Sequence, residues 1–477
     1  MAQQLKFSAI KTKLLLLHII SAAAASPFHV VETLPGYQDT LPFKLETGYI
    51  GVGEDEDVQL FYYFVESERD PEKDPLLFWI NGGPGCSGFS ALVYEIGPLN
   101  FDLSSFDGSL PSFILNQYSW TKIASVIFID APVGTGFSYA NTSRGYYASD
   151  TKSSSDNYMF LRKWLLNHPS FFKNRLYVAG DSYGGKIVPM VAFEIAEGNK
   201  AGLQPRMNLQ GYLIGNSMTD ANKDSSETVD YAHRMALISD EYYELAKSSC
   251  NGEYVNPDPS NIQCTYALRL IKDCTKNLFR DHILEPNCEF SSHRPDDTNW
   301  WLPTIEDIPD KFLFLSKQEE PGCRYKNYWP SYIWARDESV QEALHIRKGT
   351  TEEWIRCNKS LSYEFDVESV MKYHKLLHEK GYQILAYSGD HDFVLPYLRT
   401  LKWIHSLNLT IDDEWRPWTV DGQVAGYTEK HGKGGAYITF ATVKVIQLQN
   451  TSVKNVLPWY LDGYPRSHCR VNQIVIL

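Results

Sequence analysis

The feature of this sequence that most constrains its fold is a serine placed between a short apolar run and a helical pattern. Residues 176–179 read Leu-Tyr-Val-Ala, and Gly-Asp-Ser-Tyr-Gly-Gly follows at 180–185. Residues 187–197 are rich in apolar side chains, in a helical stretch that ends near Gly198. A sharp turn from a strand into a helix exposes a hydroxyl beside the helix's N-terminal amides, so Ser182 is a candidate nucleophile.

Similar apolar runs recur along the chain and predict an α/β fold. Several are continuous, which is typical of strands buried on both faces of a largely parallel sheet. Between two of them apolar side chains recur at helical spacing, as expected where strands and helices alternate. From about residue 216 to 330, Cys, Asn, Asp and Pro interrupt short helical pieces, which predicts an inserted cap. The predicted strands lie at residues 60–65, 76–80, 126–129, 176–179, 212–214 and 383–387.

The first 26 residues have the order of a signal peptide: lysines, then apolar residues 14–20, then a small-residue run that ends at Ser26. The apolar stretch is shorter than the roughly 20 residues of a spanning helix. We therefore expect cleavage near Ser26, no membrane attachment afterwards, and an extracellular or vacuolar protein. Four Asn-x-Ser/Thr sequons and eight cysteines are consistent with the oxidising secretory pathway, where glycans are added and disulfides form. The sequons begin at Asn141, Asn358, Asn408 and Asn450.

The composition of the chain excludes some classes of binding partner. The chain has 45 Lys and Arg against 58 Asp and Glu, a net charge of −13, which argues against a nucleic-acid partner. Hydrophobic residues make up 43%, which excludes a disordered chain. The sequence contains no CxxC motif, and it predicts no metal site. The chemistry expected of Ser182 needs no cofactor.

Two further motifs can complete a site around Ser182. Asn-Gly-Gly-Pro-Gly-Cys at 81–86 follows the predicted strand at 76–80. Its glycines let the backbone approach a ligand, so this loop can supply an N–H to an oxyanion. Asp392 ends Ser-Gly-Asp-His-Asp at 388–392, directly after a late strand. That position is the one expected for the acid of a catalytic triad whose members occur along the chain in the order Ser, Asp, His.

These three motifs closely resemble the serine carboxypeptidase family. Four more motifs look like its plant serine carboxypeptidase-like branch, in which several members are acyltransferases that use sugar-ester donors. The resemblance covers roughly residues 34–444 and implies one α/β-hydrolase domain over 27–444, with a mixed central sheet and a disulfide-stapled cap. The four motifs are Leu-Pro-Gly-Tyr at 34–37, Glu-Thr-Gly-Tyr-Ile at 46–50, Trp-Arg-Pro-Trp at 415–418 and Gly-Gln-Val-Ala-Gly-Tyr at 422–427.

The resemblance also implies a role for each site residue. Ser182 would be the nucleophile and Asp392 the orienting acid, while the backbone amides of Gly83 and Tyr183 would form the oxyanion hole. In carboxypeptidase relatives an Asn, a Gly and an acid hold the terminal carboxylate of the substrate. The acid is usually Glu in peptide-cutting members and usually Asp in acyltransferases. The matching positions here are Asn81, Gly82 and Asp181.

The same resemblance implies three disulfides and leaves two cysteines unassigned. Pairing would join Cys86 to Cys357, Cys250 to Cys264, and Cys288 to Cys323. The two cysteines without an implied partner are Cys274 and Cys469.

The family pattern breaks after residue 444. In the family, the triad histidine lies in a glycine-rich turn after the strand that here reads Ile-Thr-Phe-Ala-Thr-Val-Lys, but this chain continues Val-Ile-Gln-Leu. Residues 445–477 match nothing we recognise, and we expect them to derive from an alternative transcript end that lacks the closing helix. His405 is expected to pack in a helix, His431 precedes the last strand, and His468 lies in the unmatched tail. The serine therefore has no evident base.

The sequence thus predicts a serine carboxypeptidase-like protein that transfers an acyl group, through an ester on Ser182, from a glucose ester to an acceptor alcohol. Its activity is expected to be impaired because the histidine is missing. Two alternatives stay open: a serine-type carboxypeptidase that hydrolyses C-terminal peptide bonds, and an inactive isoform that only binds a ligand. The partners are then a small-molecule ester and acceptor, or a peptide C-terminus.

Overall fold

The computed structural model describes residues 28–220, 227–287, 324–351, 353–444, 456–458 and 460–461. Several predictions lie outside these residues: the signal peptide, the Cys288–Cys323 pair, and the roles of Asn450, His468 and Cys469. The strands are β1 Phe28–Val31, β2 Leu45–Val52, β3 Val58–Val65, β4 Leu76–Ile80, β5 Leu99–Phe101, β6 Phe113–Leu115, β7 Ser125–Ile129, β8 Tyr139–Ala140, β9 Ala148–Ser149, β10 Leu176–Asp181, β11 Leu209–Gly215, β12 Tyr363–Glu364, β13 Gln383–Gly389, β14 Ile411–Val420, β15 Gln423–Lys433 and β16 Ala436–Val443.

Helices of six residues or more follow the strands in the order expected of an α/β chain. They are α1 Asp150–Asn167, α2 Gly184–Lys200, α3 Glu227–Arg234, α4 Asp240–Cys250, α5 Ile262–Thr275, α6 Arg324–Arg336, α7 Glu338–Ala343, α8 Met371–Glu379 and α9 Tyr397–Ser406. Among the residues described, no helix combines the length and the apolar character that a bilayer span requires.

A 12-stranded mixed sheet forms the centre of the molecule, in the order β1-β2-β3-β7-β4-β10-β11-β13-β16-β15-β14, with β8 beside β3. Neighbours from β7 to β16 are parallel, whereas the flanking pairs are antiparallel. Every residue of β4 and β7 is buried, which is why both read as continuous apolar runs. The predicted mixed α/β sheet is confirmed.

The parallel strands bring their carboxyl ends to one edge of the sheet, and the candidate site lies there. β4, β10, β11 and β13 are consecutive neighbours in the sheet. The motif at 81–86 follows β4, Ser182 follows β10, and the loop that ends in Asp392 follows β13. Motifs far apart in the sequence are therefore adjacent in space.

The predicted cap is a separate helical cluster that reaches the Asp392 loop. α3, α4 and α5 share a small apolar core that also contains Phe393 and Leu398. The Cys250–Cys264 disulfide joins α4 to α5, as the family resemblance implied. Cys274 on α5 is exposed and forms no disulfide with any other cysteine that the structure describes. The second implied pair, Cys86–Cys357, is also formed.

The end of the chain contributes to the core. Residues 456–458 and 460–461 are helical, and Val456 and Leu457 are fully buried in the apolar cluster that covers one face of the sheet. That the chain lacks the family's closing helix stays a prediction. Apolar residues within the tail still find a place in the core, because burial of such side chains stabilises any segment that can reach it.

The three sequons within the described residues differ in accessibility. Asn141 and Asn408 are exposed. Asn358 is partly buried, and its amide donates a hydrogen bond to the carbonyl of Gly134 at 2.9 Å. We expect Asn141 and Asn408 to be the better acceptors, because their side chains are more exposed than that of Asn358.

Candidate active site

Ser182 lies in the turn between β10 and α2 with a φ of +50°. Positive φ is rare for a residue other than glycine and is costly, so such residues are concentrated at functional sites. The turn is held by hydrogen bonds from Ser182 N to Gly215 O at 2.9 Å and from Met218 N to Ser182 O at 2.9 Å. Ser182 is thereby fixed at the sheet edge and lines a cavity of about 830 Å³.

Glycines around the turn are required by close approach. A Cβ on Gly184 would lie 2.2 Å from the carbonyl oxygen of Ile80, and one on Gly82 would lie 2.7 Å from the Cβ of Ser182. Both distances are shorter than side-chain contacts allow, so these positions must lack a side chain for the loop to approach the serine. Gly83 is next to this contact, with a φ of +114°, and lines the same cavity.

Tyr183 is anchored behind the serine by a buried polar cluster. Its hydroxyl donates a short hydrogen bond to Asp150, whose other oxygen lies 3.1 Å from Lys186 Nζ. Asp150 and Lys186 are almost completely buried, so this ion pair is poorly screened by solvent. The cluster holds the side chain of Tyr183, the residue whose backbone amide the family resemblance implies for the oxyanion hole.

Asp392 is held by three N–H donors at the mouth of the cavity. The backbone amides of Val394 and Leu395 donate to Oδ1 at 2.7 and 2.9 Å, and Asn216 Nδ2 donates to Oδ2 at 2.8 Å. Asn216 also accepts a hydrogen bond from Gly389 N at 2.9 Å. Asn216 thus connects the ends of β11 and β13, a role that the sequence analysis missed.

Asp181 and Glu95 are two partly buried acids that line the cavity. Asp181 Oδ1 accepts a hydrogen bond from Gly82 N at 3.2 Å. Asn81 accepts from the indole of Trp79 at 2.9 Å and donates to Glu95 at 3.1 Å. Burial raises the pKa of Asp181 to about 6. Burial, together with the charge of Asp181, raises the pKa of Glu95 well above its usual range.

Arg356 opposes these shifts from the rim of the cavity. Its charge lowers the pKa of both acids, although burial outweighs that effect. The guanidinium lies 3.9 Å from the centre of the Tyr328 ring, an arrangement typical of a cation–π contact. Glu95 and Arg356 were not predicted, because Glu95 is carried by the helical segment Ala91–Glu95 and Arg356 by an irregular loop.

The raised pKa of Asp181 predicts a pH-dependent cost to the fold. Between about pH 4 and pH 6 the unfolded carboxyl ionises while the folded one keeps its proton, so stability falls as pH rises. Asp181→Asn removes this cost. We expect the variant to gain up to about 3 kcal/mol relative to the unaltered protein between pH 4 and pH 7. Urea unfolding at several pH values measures the gain, and exposed Asp107→Asn is the control. Parallel stability curves for Asp181→Asn and the unaltered protein would contradict the prediction.

The structure does not bring His405 or His431 to the serine. Neither lines the cavity, and His431 lies within β15. Two other histidines, His282 and His391, do line it, with ring centres 5.4 Å apart. His391 Nδ1 lies 2.7 Å from Asp390, not from Asp392. Among the described residues, the hydroxyl of Ser182 makes no hydrogen bond to a histidine.

Comparison with known proteins gives consistent matches along the chain. A family model described as serine carboxypeptidase matches residues 35–445. Serine carboxypeptidase-like 1 of Arabidopsis thaliana is 45% identical over 93% of this chain and 94% of its own length. Serine carboxypeptidase-like 2 of the same plant is 44% identical over 98% of this chain and 100% of its own length. The latter alignment extends into residues 445–477, beyond the end of the family-model match.

A solved structure supports the fold. Kex1(Δ)p, a prohormone-processing carboxypeptidase from Saccharomyces cerevisiae, is 20% identical, with a TM-score of 0.66 over 91% of this chain and 95% of its own. At that identity the similarity establishes the architecture alone.

Proposed function

Because this chain belongs to the serine carboxypeptidase family, we propose that it transfers acyl groups from a glucose ester to an acceptor alcohol, at a rate limited by the lack of a base. The observation that carries the proposal is the position of Ser182, at positive φ, in contact with Gly82 and open to a cavity of about 830 Å³. This volume accommodates a substrate of drug-like size.

The proposed reaction has two steps. Ser182 Oγ adds to the carbonyl carbon of the ester, the bond to the sugar oxygen breaks, and glucose leaves with the proton of the serine. An acceptor alcohol then attacks the acyl-serine, and its proton returns to Ser182 Oγ as the new ester leaves. Amides of Gly83 and Tyr183 would stabilise the oxyanion in both steps.

The acid pair supports a sugar ester over a peptide substrate. Asp181 is one methylene shorter than the Glu usual in peptide-cutting members, and one of its oxygens is engaged by Gly82 N. Burial and the charge of Asp181 raise the pKa of Glu95 well above its usual range, which favours the protonated carboxyl, a group that both donates and accepts hydrogen bonds. Sugar hydroxyls suit such a partner, whereas a peptide carboxylate would be repelled by ionised Asp181. An assay that offers a glucose ester with an acceptor, beside a blocked dipeptide, tests this choice.

Three outcomes of that assay are informative. Release of glucose with formation of a new ester supports the proposal. Hydrolysis of the dipeptide in preference to the ester favours the carboxypeptidase alternative. Saturable binding of the glucose ester without turnover, measured by calorimetry, favours the inactive binding isoform.

Slow acylation of Ser182 is a prediction of its own. Without a base the hydroxyl is a poor nucleophile, so labelling by a fluorophosphonate should be about 10²- to 10⁴-fold slower than in a relative with the complete triad. Gel fluorescence against time measures the rate. Ser182→Ala is the control and should abolish whatever labelling remains. Labelling as fast as in the intact relative would show that another group serves as base.

A further inference from the structure

Two histidines and a glutamate converge where the end of α9 meets β15. Glu429 and His431 are two residues apart on β15, so their side chains lie on the same face of the sheet. His405, on the last turn of α9, reaches the same point. None of the three lines the cavity of Ser182. The cluster is therefore separate from the proposed reaction.

The three groups are spaced as ligands of one small cation. Glu429 Oε2 lies 3.1 Å from His405 Nε2 and 3.2 Å from His431 Nε2. One ligand atom from each residue fits within a span of 4.8 Å. Ligands at the usual distances around a tetrahedral Zn²⁺ are about 3.3 Å apart. The site thus needs only small adjustments to close on an ion.

His431 provides an independent reason to expect a ligand. Its side chain is 2% exposed, and its Nε2 makes no hydrogen bond within the described part of the chain, despite being close to Glu429. A buried ring nitrogen without a partner is costly.

The buried charge of Glu429 and the exposure of His405 also favour a bound cation. Glu429 is only 9% exposed, and buried carboxylates need compensation by a cation or by several hydrogen bonds. His405 is 50% exposed at the surface, which gives an ion a path from solvent. Two imidazoles, one carboxylate and an open side make a donor set well suited to Zn²⁺.

We propose that His405, Glu429 and His431 bind one Zn²⁺ ion, with solvent completing its coordination. The ion would join the end of α9, which begins just after the Asp392 loop, to the terminal antiparallel strands. Its role would be to hold these elements together. The sequence analysis predicted no metal site because it considered only closely spaced ligands, and His405 and His431 are brought together by the fold.

The proposal is tested by titrating the metal-free, full-length protein with Zn²⁺. The protein should carry no polyhistidine tag, and the pH should be about 7.5. We expect one ion per chain by calorimetry and by elemental analysis after gel filtration. Co²⁺ should give the visible bands of a low-symmetry, four- or five-coordinate site. At a free Zn²⁺ concentration 100 times the Kd, the melting temperature should rise by about 3 °C.

Two variants assign the ion to the cluster. His405→Ala and Glu429→Gln should each weaken Zn²⁺ binding by at least about 100-fold and abolish the shift in melting temperature. His405 is half-exposed, so the metal-free form of His405→Ala should melt within about 1 °C of the metal-free unaltered protein. His378→Gln is the matched control, because His378 contacts Ala436 O in the same region and belongs to no cluster.

The outcomes are decisive in both directions. Loss of the single ion in both cluster variants, with binding retained in His378→Gln, supports the site. The proposal is overturned if no stoichiometric ion binds, or if the ion persists unchanged in His405→Ala. Because binding is measured directly, neither result depends on whether Ser182 reacts.

Discussion

Grafting a C-terminal segment that carries the family histidine onto residue 444 is expected to accelerate acylation of Ser182 by at least about 10³-fold. The donor would be a relative with the histidine directly after its last strand. The structure already holds Ser182 in its strained turn and Asp392 on three N–H donors. Among the described residues no histidine hydrogen-bonds to the Ser182 hydroxyl, and the proposal is that the base of the triad is lacking. The members of a triad act as a unit, so supplying the base should restore the rate.

Fluorophosphonate labelling of the chimaera measures this gain. In a second chimaera the grafted histidine is replaced by alanine, which distinguishes the effect of the base from the effect of packing by the grafted segment. This chimaera should fold equally well, and its labelling should remain slow. A third, with Ser182→Ala, should not label. If the first two chimaeras react at the same rate, the graft acts through packing and the missing base does not limit the reaction.

Removal of the Cys86–Cys357 disulfide is expected to cost about 5 to 6 kcal/mol of unfolding free energy. This bond closes a loop with a sequence separation of 271 residues, and long loops lose the most entropy when closed in the unfolded chain. Cys86 belongs to the glycine loop beside Ser182, and Cys357 follows Arg356 on the cavity rim. Loss of the bond should therefore also loosen the cavity.

Urea unfolding of the Cys86→Ser, Cys357→Ser double variant measures the loss. The Cys250→Ser, Cys264→Ser variant is a matched control with a sequence separation of 14, and it should lose about 3 kcal/mol. Backbone hydrogen bonds from Ser87 to Arg356 and from Asn358 to Gly85, both 2.8 Å, remain in the first variant. A smaller loss in that variant than in the control would show that they suffice to hold the loop.

The sequence predicted best the strands buried on both faces. The predicted run at 76–80 coincides with β4, because a strand covered by helices on both faces has no reason to carry polar side chains. β14 was not predicted as a strand. It belongs to the antiparallel edge and most of its residues are not buried, so its sequence lacks a clear apolar pattern.

The residues of the candidate site also differ in how well local sequence predicts their position. Ser182 and Asp392 follow strands of the parallel centre, and their position at the sheet edge could be deduced from local sequence. Asn216 had a comparable signal, since it directly follows β11, but nothing in its neighbours indicated a contact with Asp392. Glu95 had no such signal, because its approach to Asp181 depends on how a helical segment packs against a distant strand. Tertiary contacts of this kind are absent from local patterns.

The buried residues of the tail set a condition on how this chain can fold during synthesis. The apolar cluster that holds Val456 and Leu457 also contains Val31, near the start of the described chain. At about 5–20 residues per second, translation takes roughly 20 to 90 s to travel between these ends. Over that interval one face of the sheet is incomplete. Exposed apolar surface of this kind is prone to aggregate, so the nascent chain would depend on chaperones until its last turn is released.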